Sequence, residues 1–448
     1  MAIALAASGC SRSGGDTETA DTTATTASQG SSGGDGGLDG GGFGDLEKVC
    51  QDGDAKGATA TGVTDAEIHV GTFTDKGATA VPGLTKEMYD AAQAFTSWCN
   101  EHGGILGRKL VLDDLDAKLF EFEARITDAC EKDFALVGGG AVFDEDPKDI
   151  RVGCGLANIA GYVVSARARV ADLQVQPVPN PVYSLPVGSY LRVKELYPDA
   201  VKRYGIMASN IGAVLLVRDQ SLEGATANGY TVVYNREYAP AGETGWQNFV
   251  REMKAADVGV LEFVGQPENL TSLVKAMDTE DFYPDVLLQG PNFYDQKFVA
   301  EGGSVAGNTI VRGAYYPFEL AKDNQATQDY LDLMERYNPG GKVALLGAQS
   351  ISAFLLFAKA AAACGSELTR ECLIANAGKV TEWTAGGLHS PQTPGNTKGG
   401  DCFLLLTVDG TGFHYDKKAT KPNDGLYNCD PANVMELQKD YGVPKPAK

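Results

Sequence analysis

Histidine and tryptophan are scarce in this 448-residue chain, at four and three residues. Basic residues are also few, 38 Lys and Arg against 59 Asp and Glu, for a formal charge of −21. Nucleic acid is thereby excluded as a partner, because phosphate binding needs concentrated Lys and Arg. The charge does not favour docking on an anionic bilayer either. No uninterrupted apolar run reaches the roughly 18–20 residues of a spanning helix. The longest apolar segment, 345–364, carries Gln349, Ser350, Ser352 and Lys359 and reads as a core helix. The patterns G-x-G-x-x-G and G-x-x-x-x-G-K-[ST] are absent, which removes the usual cradles for dinucleotides and nucleoside triphosphates. One G-x-S-x-G match, residues 30–34, lies in a Gly/Ser tract instead of the strand-to-helix elbow where that motif works. His69, His102, His389 and His414 fall in a strand, a corner and late loops, none spaced to serve as the base of a nucleophile. No enzyme, cofactor or metal site is expected.

What is present begins with MAIALAASGC, a short apolar run ending in small residues before Cys10. It resembles the end of a bacterial lipoprotein signal, whose cysteine is lipidated and anchors the protein to the cytoplasmic membrane. Residues 11–45 are mostly Ser, Thr, Gly and Asp, too polar to offset their ordering entropy, and read as a tether. The tether and its lead-in extend to residue 63.

Cys50, Cys99, Cys130, Cys154, Cys364, Cys372, Cys402 and Cys429 remain, with no C-x-x-C pair, so zinc and dithiol-redox readings are weak. An even number outside the cell implies four disulfides. Sequence leaves on the order of a hundred connectivities open. The favoured set is Cys99–Cys130, Cys364–Cys372, Cys402–Cys429 and, by remainder, Cys50–Cys154.

From residue 68 the chain alternates strand and helix. IHVGTF (68–73), KLVLDDLD (109–116) and FALVGGG (134–140) read as strands. Between the first two, Met88, Ala91, Ala92, Phe95 and Trp98 recur at steps of three and four, one apolar helix face; EFEARITDACEKD (121–133) is a second helix. NEHGGILGRKL (100–110) is then a helix-to-strand corner: a left-handed glycine ends the helix, Ile105 and Leu106 cover its end, Gly107 turns, and Arg108-Lys109 starts the strand at a wet edge. After the Pro-rich passage 176–186 the alternation resumes. Strands are expected at 203–209, 230–238, 258–265, 285–290 and 308–316, and helices at 212–228, 246–256, 267–280 and 294–300. Long helices at 324–337, 346–364 and 368–379 follow, then the strand CFLLLTV (402–408) and loop. A second α/β lobe is the consequence.

The helix, N-x-x-GGI-x-GRKL and the strand after it resemble the first βαβ unit of branched-chain amino-acid-type solute-binding proteins of ABC transporters. RYGIM, AGETGWQNFVREMKAADVGVLEF and CGSELTRECLIANAGKV followed by CFLLLTVDGTGF resemble later parts of the same family. The resemblance covers about residues 64–429. It implies the type I periplasmic-binding-protein fold, two Rossmann-like α/β lobes with mostly parallel sheets joined by three crossover segments. Lobe 1 is then placed at 64–183 plus 318–392, and lobe 2 at 184–317 plus 393–448. It also implies capture of a small solute between the lobes by hinge closure, a membrane permease as partner, and an extracytoplasmic monomer. A ligand-sensing receptor signalling to a membrane partner is the alternative on this fold.

Ligand in such folds lies at the carboxyl ends of strands. The loops so placed supply Thr74 and Asp75, the glycines 138–140 with Ala141, Val142 and Phe143, then Tyr162 and Ser165. The second lobe supplies Ser209 and Asn210, Gly265 and Gln266, and Asn292, Phe293 and Tyr294. The glycines would let backbone N–H groups approach an anion or carbonyl; the aromatic residues would form walls, and Asp75 would pair with a cationic group. Glu262, in an apolar strand, should face the cleft or a lobe edge. The family's amino-acid binders hold the α-carboxylate with Ser or Thr after the glycine loop, where this chain has Ala141-Val142-Phe143. They hold the ammonium with an acid where it has Asn292. The expected ligand is therefore neutral or weakly charged, and amide-like or partly aromatic.

Overall fold

Eight residues of strand β1, Glu67–Thr74, place Ile68, Val70 and the side chains beyond them out of solvent and pair in parallel with β2, Lys109–Asp116, from Glu67↔Lys109 to Thr74↔Asp116. The structure, a computed structural model, describes residues 37–145 and 148–446. Cys10 lies outside these residues.

Helix α1, Lys86–Glu101, joins β1 to β2 and buries Met88, Ala91, Ala92, Phe95 and Trp98 completely, the face its spacing predicted. Helix α2 (Phe122–Lys132) leads to β3 (Ala135–Val137), and β4 (Ala157–Ile159), short α3 (Ala166–Arg169) and β5 (Gln174–Val175) follow. These strands form an all-parallel sheet in the order β2-β1-β3-β4-β5.

The chain continues through β6 (Ser184–Pro186), α4 (Gly188–Leu196), β7 (Tyr204–Ser209), α5 (Gly212–Ala227), β8 (Val232–Tyr238), α6 (Trp246–Ala255), β9 (Val260–Val264), α7 (Pro267–Thr279), β10 (Val286–Gln289), α8 (Gln296–Gly302) and β11 (Thr309–Gly313). Helices α9 (Gln325–Tyr337), α10 (Leu345–Cys364) and α11 (Arg370–Gly378) then return to the first sheet: α9 and α10 pack on α1, and α11 packs on α10, β4 and β5. Strands β12 (Cys402–Val408) and β13 (Phe413–Tyr415) join the second sheet antiparallel, giving the order β13-β12-β11-β10-β9-β7-β8. Helix α12 (Lys417–Thr420), β14 (Asn428–Cys429), which pairs with β12, and β15 (Val434–Glu436), which pairs with β6, complete the chain. The tail, expected to be loop, is thus held by short strand pairs too brief and polar to show a period.

Helix α10 is long and apolar enough to span a membrane, but it is a core helix, with Ile351 and every residue from Ala353 to Ala358 at 0% exposure. Three segments, 176–183, 314–317 and 388–401, connect the two sheets. Two of them run side by side: Tyr316 N–H donates to the Leu388 carbonyl at 2.9 Å and Ser390 N–H to the Ala314 carbonyl at 2.8 Å. The expected α/β fold, two mostly parallel sheets with three crossings, is the one observed.

The lead-in departs from expectation. Leu38, Phe43, Cys50, Ala55 and Val63 are buried, and Trp98 Nε1–H donates to the Leu38 carbonyl at 2.8 Å. Two large apolar side chains in a Gly-rich stretch suffice to pull residues 38–45 onto α1. Part of the expected tether is therefore packed chain.

That packing also corrects two disulfides. The pairs are Cys50–Cys99, Cys130–Cys154, Cys364–Cys372 and Cys402–Cys429; Cys99–Cys130 and Cys50–Cys154 do not form. The lead-in runs along the end of α1, bringing the Cys50 and Cys99 Cα atoms to 5.1 Å. Cys130 on α2 meets the turn at 148–154, Cα to Cα 6.0 Å. Cys402 and Cys429 face each other in register across β12 and β14.

At the corner, Gly103, Gly104 and Gly107 all have left-handed φ (+95°, +74° and +92°), and a Cβ on Gly104 would lie 2.0 Å from the Arg108 carbonyl oxygen. Ile105 is buried as expected, but Arg108 is not at a wet edge. Its guanidinium is 1% exposed with the residue and donates to the carbonyls of Gly365 and Gly57 at 3.0 and 3.2 Å. The guanidinium satisfies carbonyls of two segments distant in sequence.

Candidate functional site

A cavity of about 300 Å³ opens where the carboxyl ends of the strands of both sheets face each other. From the first sheet and its helices come Leu84, Thr85, Glu87, Val142, Tyr162, Val163, Val164 and Arg169, with Leu346 and Gln349 from α10. From the second come Ser209 at the end of β7, Val214 and Val217 on α5, Val264 at the end of β9 with the residues to Glu268 that follow it, and Pro291, Asn292 and Asp295 after β10. The body of the space is apolar. Several polar atoms at its edge have no protein partner: Ser209 Oγ, Gln349 Oε1 and Arg169 Nε are buried and make no hydrogen bond. Such groups cost free energy unless something supplies the missing bond.

Of the residues expected here, Val142, Tyr162, Ser209, Gly265, Gln266 and Asn292 line the cavity. Tyr162 is kept protonated by burial and by the negative charges of Asp75, Asp144 and Glu87. Gln266 precedes α7 and accepts from Asn269 at 3.0 Å; Asn292 donates to the Gly265 carbonyl at 2.8 Å, which ties two lining loops together.

The others lie elsewhere. Asp75 is completely buried, and its carboxylate accepts from Leu119 N–H at 2.7 Å and Val142 N–H at 2.9 Å. It braces two loops with both oxygens and does not line the cavity; burial raises its pKa against those bonds. Thr74 is buried, with its Oγ1 unpartnered, and does not line the cavity. Ser165 caps α3, accepting from Ala168 N–H at 3.3 Å, and is held by Asp144. The glycines are packing positions: Gly138 and Gly140 N–H groups go to the Ile159 and Phe73 carbonyls, and a Cβ on Gly139 would lie 2.3 Å from Phe73 N. Gly140 supports the Tyr162 ring, and Ala141 is buried beside it. Phe143 stacks on the exposed Phe120 at 5.5 Å, outside the cavity. Asn210 is exposed; its neighbour Ser209 is the one that lines the space. Phe293 is a core residue against Phe263, and Tyr294 is wedged between Phe318 and Phe413, donating to Glu319.

Glu262 also sits differently. It is 4% exposed inside the second α/β layer, accepting from Tyr190, Tyr204 and Ser221 hydroxyls at 2.8, 2.7 and 2.9 Å. Three donors make its burial affordable, and it reaches neither the cleft nor an edge. His389 meets Ser352 Oγ at 2.8 Å, a serine–histidine contact that the spacing did not suggest. Both are buried, Trp383 Nε1–H donates to the same Oγ at 3.1 Å, and the other ring nitrogen faces the Ser390 carbonyl at 2.8 Å. The contact is a core network at the paired crossings.

The charged residues of the cavity were missed. Lys342, in the loop before α10, has its Nζ 3.2 Å from Glu87 Oε2 and 2.8 Å from Asp295 Oδ2. Burial raises the Glu87 pKa and Lys342 pulls it down; burial lowers that of Lys342, but the two carboxylates prevail and raise it. The available signals were Glu87 in the first turn of α1 and Gln349 in an otherwise apolar helix. A wider groove of about 660 Å³ lies among the loops 391–402 and 431–446, away from the strand ends.

Two sheets facing across a cavity at their strand ends, joined by three crossings, define a type I binding-protein architecture. The family model for periplasmic binding proteins matches residues 187–412, half of the chain. The chain belongs to the periplasmic binding protein family. Solved structures of similar fold include a leucine-binding protein from Thermotoga maritima (13% identity, TM-score 0.63, covering 78% of this chain and 97% of that one). Another is the fatty acid ABC transporter substrate-binding protein from Thermomonospora curvata (16%, 0.64, 82% and 93%). A third is an extracellular ligand-binding receptor from Rhodopseudomonas palustris (18%, 0.64, 78% and 100%). A comparison with curated protein sequences finds no match.

Proposed function

We propose that this protein is the extracytoplasmic solute-binding component of an ABC importer, capturing a small organic solute between its lobes and presenting the closed form to a membrane permease. The observation that carries the reading is the strand-end cavity, apolar in body and rimmed by Ser209, Gln349 and Arg169 atoms without protein partners. Lobe 1 comprises residues 64–183 and 318–392, and lobe 2 residues 184–317 and 393–448. The protein works as a monomer, tethered by lipid on Cys10; that part rests on MAIALAASGC alone. Its role is binding, with no reaction catalysed.

The solute has an apolar body fitting Val142, Val163, Val214, Val217 and Leu346, and an amide, hydroxyl or weakly charged head for the unpartnered groups. Lys342 already stands between Glu87 and Asp295, so a guest ammonium would have to displace the protein's own. Of two related folds, one is named for leucine and one for fatty acid, both solutes with hydrocarbon bodies. A thermal-shift screen of leucine, valine, their 2-oxo acids, short amides, aromatic acids and nucleosides tests this. A true ligand at 100 times its dissociation constant stabilises by about 2.7 kcal/mol, and Val264→Trp, which fills the cavity, removes the effect. Tight binding of leucine or valine in calorimetry overturns the ligand class; stabilisation unaffected by Val264→Trp overturns the site.

A further inference from the structure

Outside the cavity lining, His69, Asp113 and Asp133 bring one ring nitrogen and two carboxylate oxygens within 4.8 Å of one another. The β1–β2 register explains the meeting. Gly71 pairs with Asp113, and His69 lies two residues before Gly71, so both side chains stand on one face of the sheet. Asp133 ends α2 on that face and fills the space over Gly71, where a Cβ would lie 2.6 Å from Asp133 Oδ2.

The carboxylates are short of donors. Asp133 is completely buried, and neither of its oxygens has a hydrogen-bond partner. Asp113 Oδ1 accepts from Lys132 Nζ at 2.7 Å, while its Oδ2 is buried, unpartnered and 3.7 Å from His69 Nδ1. Arg370, the nearest guanidinium, is committed to the carbonyls of Asp133, Phe134 and Cys154 at 2.7, 2.9 and 3.0 Å. Three oxygens and an imidazole thus converge, and the imidazole N–H is too far from Asp113 Oδ2, at 3.7 Å, to serve it as a hydrogen bond. His69 keeps 31% of its side chain exposed, which leaves a way in.

We infer that His69, Asp113 and Asp133 form a binding site for one divalent cation of the first transition row. An imidazole beside two carboxylates suits zinc or manganese better than calcium or magnesium, which take oxygen donors alone. Bonds of about 2.0–2.2 Å set neighbouring ligands roughly 3.3–3.6 Å apart, a contraction that side-chain rotation supplies. Water completes the coordination on the open His69 side. The ion ties β1, β2 and the end of α2 together, independently of any solute in the cleft.

Calorimetric titration of the chelator-stripped full chain at neutral pH with ZnCl2, MnCl2 and CaCl2 tests the site. One saturable zinc or manganese site per chain is expected, weakened at least tenfold in both Asp133→Asn and His69→Gln, with calcium weaker. His69→Gln changes a partly exposed residue, so the test survives a folding defect in the other variant. No saturable binding overturns the inference, the two acids then sharing a proton. Binding equally tight in both variants overturns it too, as an adventitious surface ion would.

Discussion

Lys342 Nζ lies 2.8 Å from Asp295 Oδ2, and that contact spans the cleft: Lys342 precedes α10, which packs on α1, while Asp295 caps α8 beside the second sheet. With Glu87 at 3.2 Å the ammonium serves both walls at once. Lys342→Met strands two carboxylates. Breaking a fully buried pair costs about 3–5 kcal/mol; Lys342 keeps 29% of its side chain exposed, so about 1–3 kcal/mol is expected here. Urea unfolding reads the loss, and small-angle scattering should show a larger radius for the variant if the bridge holds the walls together.

Glu262 should be the most sensitive position of the second layer. Glu262→Leu leaves three buried hydroxyls without their acceptor, each worth about 1–3 kcal/mol when unsatisfied. A loss of about 3 kcal/mol or more in denaturant unfolding is expected, with Tyr190→Phe costing less because one hydroxyl leaves with its bond. A near-neutral Glu262→Leu would show that the three contacts stabilise little.

Acidification should act through His389. Burial lowers its pKa to about 4, against an ordinary value near 6.5. The unfolded chain therefore takes the proton first. The stability this group contributes is complete above about 6.5 and is lost as the pH falls through the window down to about 4. His389→Gln should flatten the stability–pH curve in that interval. A curve unchanged by the substitution would assign the acid loss to other groups.

Peptide mapping without reduction should recover Cys50–Cys99 and Cys130–Cys154. Removing the first pair as Cys50→Ala/Cys99→Ala should cost about 2–4 kcal/mol and free the lead-in from α1. Recovery of Cys99 linked to Cys130 would contradict the packing of residues 38–55.

Much of the fold was legible because its strands and helices are long enough to show a period. Strand β2 occupies the predicted 109–116, and α1 buries the five apolar residues its spacing marked. Strands β13 to β15 have two or three residues each and leave no period to read. The cavity lining was legible only in part. Strand ends pointed to Val142, Tyr162, Ser209, Gly265, Gln266 and Asn292, but the same rule drew in Asp75 and Ser165, which hold their own loops. A carboxylate that braces backbone and one that faces a guest look alike in sequence. Lys342 and Gln349 come from the segment around α10, which only the folded chain brings to the cleft. His69, Asp113 and Asp133 are likewise far apart in sequence, and no local spacing connects them.

Hydrogen exchange with and without a solute identified by thermal shift tests the binding cleft most directly. Solute should slow exchange in the segments 83–87, 142–144, 162–169, 209–217, 264–268, 291–295 and 342–349 together, from both walls of the cavity. Protection confined to one wall, or centred on the groove at 391–402 and 431–446, would contradict capture between the lobes.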